Sequence, residues 1–106
     1  MPYIVSFVKY PSHIASKVAK KYLELMQKFP PDDSLGENII PSAVKITDEG
    51  IRILSVSRVK EGKFEEAWRL AGERRAFFLD VEGYEASLEV WGTVGEALRT
   101  IGMNLP

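Results

Sequence analysis

The chain contains no cysteine, which removes disulfide staples, thiolate nucleophiles and cysteine-ligated zinc or iron–sulfur centres. It has one histidine, His13, and scattered carboxylates, a set with no spacing that would assemble three or four metal ligands. It lacks an excess of charge of either sign: 14 Lys and Arg stand against 15 Asp and Glu, for a net charge of -1. A dedicated nucleic-acid binder carries a marked basic surplus, so that class is set aside. No apolar run approaches the roughly 18 residues of a membrane-crossing helix. Met1-Pro2-Tyr3 has neither the basic flank nor the cleavage pattern of a secretory leader. Side-chain amides are scarce (Gln27, Asn38 and Asn104 only), a trait of thermophilic chains. Together these absences predict a cytoplasmic chain with no cofactor, no membrane partner and no nucleic-acid partner.

What is present suffices for one core. With 106 residues, 45% hydrophobic and 27% charged, residues 1–106 read as a single folded domain. Tyr3-Ile4-Val5-Ser6-Phe7-Val8 is β-branched and aromatic and is closed by Pro11, which predicts a strand. Ser12 is the expected N-cap of a helix whose apolar stripe is Ile14, Val18, Tyr22, Leu25, Met26 and Phe29. Pro30-Pro31 ends it. Asp32 to Pro41 reads as a loop of about ten residues. Ala43–Thr47 and Ile51–Val59 form a hairpin about Asp48-Glu49-Gly50, where Gly50 can take a positive φ.

A second amphipathic helix is expected from about Lys63 to Leu79, carrying Phe64, Ala67, Trp68 and Ala71. Gly72 inside it costs about 1 kcal/mol relative to Ala, which close packing on the sheet would explain. Tyr84 to Val90 alternates apolar with polar residues, and Gly92-Thr93 leads into a short helix from Val94 to Ile101. Thr93 is its cap and Glu96 holds the capping-box position.

The order β-α-β-β-α-β predicts the α+β class and a ferredoxin-like fold. Its sheet is four-stranded and antiparallel, with the first and third strands central, both long helices on one face and a short C-terminal helix. Alternation divides each strand into two faces. Tyr3, Val5, Phe7, Val44, Ile46, Leu54, Val56, Ala86, Leu88 and Val90 are expected under the helices. The other set mixes Ile4, Val8, Ile51 and Ile53 with Ser6, Ser55, Ser57 and Ser87, and adds Glu85, Glu89 and Trp91 toward an edge. Such a mixture fits a face covered by a second copy around a small cavity; the plainer alternative is a solvated face with scattered aliphatics.

With the Phe29-Pro30-Pro31 helix ending, and the run from Ala67-Trp68-Arg69 to a last strand at Glu89-Val90-Trp91, the chain resembles the dimeric α/β-barrel superfamily. The resemblance implies two ferredoxin-like subunits packed sheet against sheet, with pockets between sheet and helices. Members of that superfamily include cofactor-independent oxygenases, haem-handling enzymes and isomerases, some with a histidine near the subunit cavity. That makes His13 the candidate acid–base residue; the plainer reading is an exposed first-turn histidine. The additional Asn, Trp and His positions of the oxygenases have no match in this chain.

The remaining candidates each have a bland counterpart. Asp32-Asp33 reads as a solvated loop, and Glu85/Glu89 share a face without showing that a substrate lies between them. Arg69, Arg74 and Arg75 form a basic patch suited to an anion, yet Glu65, Glu66 and Glu73 at helical spacings predict self-pairing. Gly92-Thr93-Val94-Gly95 lacks the ending of a phosphate-binding loop. The third strand has no aromatic on which RNA bases would stack. Phe64, Trp68, Phe77, Phe78 and Trp91 are expected in the core. The sequence thus points to a homodimeric module that binds a small molecule or protein partner, with ligand-binding residues Ser6, Ser55, Ser57, Ser87 and Trp91. Its alternative is an oxygenase or isomerase using the inter-subunit cavity and His13.

Overall fold

The computed structural model describes all 106 residues. Its elements are β1 (Tyr3–Tyr10), α1 (Ala15–Lys28), β2 (Gly36–Thr47), β3 (Gly50–Val59), α2 (Phe64–Ala76), β4 (Glu85–Trp91) and α3 (Val94–Arg99). The strands make one antiparallel sheet in the order β2-β3-β1-β4, an α+β arrangement with β1 and β3 central.

Several boundaries differ from expectation for local reasons. β1 runs on to Tyr10 because Lys9 and Tyr10 still pair with Arg52 and Ile51 of β3. Residues 36–41, expected in a loop, belong to β2, which pairs with β3 from Gly36↔Val59 onward. Pro41 is tolerated there because β2 is an edge strand, where a missing amide breaks no ladder, and the register shifts on either side of Ile40. Ser12 makes no capping hydrogen bond; a single 3-10 turn, Ser12–Ile14, leads from Pro11 into α1.

Gly50 has φ 125°, and a Cβ there would come within 2.8 Å of the Tyr10 carbonyl oxygen. Gly72 does not pack closely on the sheet: a Cβ at that position would meet nothing within 4 Å. α3 begins with the expected capping box, the Thr93 amide donating to Glu96 Oε1 at 2.8 Å and the Glu96 amide to Thr93 Oγ1 at 3.1 Å.

The register assigns the faces. Directly paired residues share one face, so Ser6 lies with Ser55 and Leu88, Val8 with Ile53 and Ala86, and Ile4 with Ser57 and Val90. This face looks toward the helices, because Ser6, Ser55, Ser57 and Leu88 border the same hollow as Tyr22, Leu25 and Met26 of α1 and Ala67, Leu70 and Ala71 of α2. Tyr3, Val5, Phe7, Leu54 and Val56 project from the other side, with Ser87, Glu89 and Trp91.

The expected parity therefore holds for β2 and β4 and is reversed for β1 and β3. Apolarity was a misleading guide in those two strands, since both sides carry aliphatics and the serines lie on the side that faces the helices. The core itself sits at one end of the helix layer. Val18 and Leu25 of α1 meet Phe78 and Val81 after α2, with Tyr10, Phe29, Phe77 and Tyr84 packed around them. The Phe78 and Tyr84 rings stack at 4.5 Å.

Candidate functional site

Beside that core, the space between helices and sheet is not filled, and Leu25, Phe78 and Tyr84 border both. The floor carries Ser6 on β1 and Ser55 and Ser57 on β3, while α2 presents Ala67 and Ala71 above it. Hydroxyls and methyls facing each other leave volume that leucines or phenylalanines would close. The result is a cavity of about 320 Å³. Ile4, Val8, Leu25, Ile53, Leu70 and Leu88 supply apolar walls, and Asn38, Tyr22, Tyr84 and Arg74 add polar groups. That mixture of apolar wall and few polar groups is the usual make-up of a small-molecule site.

Arg74 is the unusual member. It lies one helical turn beyond Leu70 and Ala71, so helical periodicity turns it to the same side. The self-pairing predicted for it is absent: its Nη2 donates only to the Met26 sulfur, at 3.7 Å, and none of the ion pairs involves it. Burial pushes its guanidinium below the ordinary arginine value, partly offset by Tyr22. Arginine stays charged in proteins under any such shift. Neighbouring Arg75 also borders the cavity, and its Nε donates to the Ala86 carbonyl at 3.1 Å.

Asp32 and Tyr84 also border the cavity. Asp32 accepts from the amide and hydroxyl of Ser34, which holds its carboxyl below the usual range, helped by Lys63 and Lys60. Tyr84 is pushed up to about 12, chiefly by burial. No set of three His, Cys, Asp or Glu side chains gathers as a metal site.

The five expected ligand-binding residues are not brought together. Ser6, Ser55 and Ser57 line the cavity, whereas Ser87 borders a depression of about 490 Å³ on the opposite sheet face, with Phe7 and Leu54. Trp91 is exposed on that far face and donates from Nε1 to Glu89 at 3.0 Å. Trp68 is exposed too, stacked on Phe64 at 6.0 Å, so neither tryptophan is core.

His13 is exposed in the turn before α1 and does not line the cavity. Glu85 is paired with Lys9 at 3.2 Å and Glu89 with Trp91, which leaves no convergent carboxylate pair. A wider groove of about 920 Å³ runs between Phe29-Pro30-Pro31 and the outer side of α2. Its border mixes charges of both signs, Lys28, Asp32, Glu65, Glu66, Arg69 and Glu73, with Phe29, Pro30, Pro31, Leu35, Phe64 and Leu70. Sequence reasoning missed Arg74 as a cavity residue; its spacing from Leu70 and Ala71 was the available signal.

No family model matches the chain, and no curated protein or solved structure gives a match either.

Proposed function

We propose that the chain is a small-molecule-binding module of ferredoxin-like build, with its ligand between the helix layer and the sheet, acting as a homodimer. The observation that carries the binding reading is the hydroxyl-floored hollow around Ser6, Ser55 and Ser57. A structural filler role would have favoured larger side chains at those positions. The strand order β2-β3-β1-β4, with α1 and α2 as the two crossover helices, supports the ferredoxin-like build. The absence of cysteine fits a reducing, cytoplasmic setting.

The homodimer is supported by surface left over. The chain exposes 7363 Å², about 1,400 Å² more than expected for a folded monomer of its mass. A standard interface buries about 800 Å² per partner. The helix-free face offers the surface: Phe7 is exposed and Tyr3, Leu54 and Val56 are half-buried around Val5, which the single chain already buries. Of its charges, Lys9 is paired with Glu85 and Arg58 with Glu37, while Lys45 and Arg52 stay unpaired at one end of the patch. A two-fold contact needs only that this patch be complementary to itself.

The binding reading is tested by titrating the ¹⁵N-labelled protein with neutral aromatic fragments such as indole. Shifts should cluster at Ser6, Ser55, Ser57, Met26 and Ala71. Shifts confined to Phe7, Leu54 and Ser87 would move the ligand to the other face and overturn the reading.

A further inference from the structure

We infer that the cavity selects a compact monoanion, a carboxylate on an apolar body, with Arg74 as its counter-ion. The inference rests on the binding reading above and adds the chemical class of the ligand. Arg74 lines the hollow with a guanidinium that has five donors, of which one is directed to a weak sulfur acceptor and none to a carboxylate. Arg74 is half-buried and its unpaired nitrogens keep some access to solvent, which leaves them free to meet a ligand. Every charge-balancing group the sequence offers on α2, Glu65, Glu66 and Glu73, is exposed and leaves Arg74 unpaired.

The other charged groups around the cavity do not compensate it. Asp32 is held by Ser34, Asp33 is exposed with Lys60 Nζ on its carbonyl at 2.8 Å, and Arg75 adds charge of the same sign. Arg74 is the half-buried cation here, which fits one negative charge better than the two of a phosphate monoester. Ser6, Ser55 and Ser57 supply half-buried hydroxyls on the cavity floor, and the apolar walls take the remainder. A volume of about 320 Å³ lies at the small end of ligand pockets, which suits an aromatic or branched monocarboxylate.

The test uses one body with three head groups: 3-phenylpropionate, 3-phenylpropionamide and 3-phenylpropylamine, titrated into the wild-type dimer or monomer as it occurs. The carboxylate should bind at least tenfold more tightly than the amide, and the amine should be the weakest. Arg74→Gln should bring carboxylate and amide to parity, while Arg74→Lys keeps part of the preference. The wild-type ranking alone decides the matter if a variant fails to fold. Equal binding of carboxylate and amide, with shifts at Ser6 and Ser55, would overturn the anion inference and leave the cavity reading standing. Failure of all three probes and of indole would overturn both.

Discussion

Ser6 and Ser55 stand directly opposite one another on the two central strands, and both look toward the helices. Two small hydroxyl side chains at the middle of a sheet remove the material that would support the helix layer. Ala67 and Ala71 above them do not replace it, and the cavity is the consequence.

Ser55→Leu should therefore fill the cavity and not disturb the far face. Fragment binding is expected to fall at least tenfold, with sedimented mass unchanged. Stability in urea should hold or rise by up to about 1 kcal/mol, because added methylenes would occupy empty space. A shift in mass would instead place Ser55 between copies.

Phe7→Arg should dissociate the proposed dimer. Phe7 is 39% exposed in the single chain, so the charge leaves the folded subunit intact while opposing burial of the face. Removing a central aromatic anchor is expected to cost about 2 kcal/mol or more of association. Sedimentation equilibrium should move from twice the chain mass toward 11.9 kDa.

Gly72→Ala should stabilise the protein. The position is inside α2, its φ is ordinary for a helix, and a Cβ meets nothing within 4 Å. Helix propensity alone then contributes about 0.5–1 kcal/mol, read as an increased denaturation midpoint at constant slope.

Tyr84 predicts alkaline sensitivity. Its phenol titrates at 10.0 when unperturbed and is pushed up to about 12 in the fold by burial. Ionisation is thus easier in the unfolded chain. The stability from this group is fully present below pH 10 and is lost as pH rises to about 12. Tyr84→Phe should flatten that part of a pH–stability curve; an unchanged slope would show that another group is responsible.

The element order was legible because periodicity marks elements strongly: α1 follows its stripe from Val18 to Leu25, and the Thr93–Glu96 capping box is where the sequence puts it. Faces were harder to read. Nothing local to Tyr3-Ile4-Val5-Ser6-Phe7 tells which parity meets the helices, since that is set by pairing to β3 and by where the crossover helices land. Choosing the more apolar parity would be sound for a chain that covers its own sheet. It misleads at Phe7 and Leu54, which the helices never reach. The same long-range dependence hid Arg74, which forms no ion pair with its glutamate neighbours in sequence. The first part of β2 is hidden from sequence patterning because Pro41 breaks strands except at a sheet border.

That border has a further consequence. An edge with an unbroken row of amides and carbonyls invites further strands and growth without limit. Along β2, Pro41 removes a donor, and the register shifts around Ile40 interrupt the spacing of those that are left. On the opposite border, β4 alternates Glu85, Ser87 and Glu89 along its length, so a second copy laid alongside would bring like charges together. Both flanks thus resist lateral templating, so neither edge competes with the sheet-face contact proposed above.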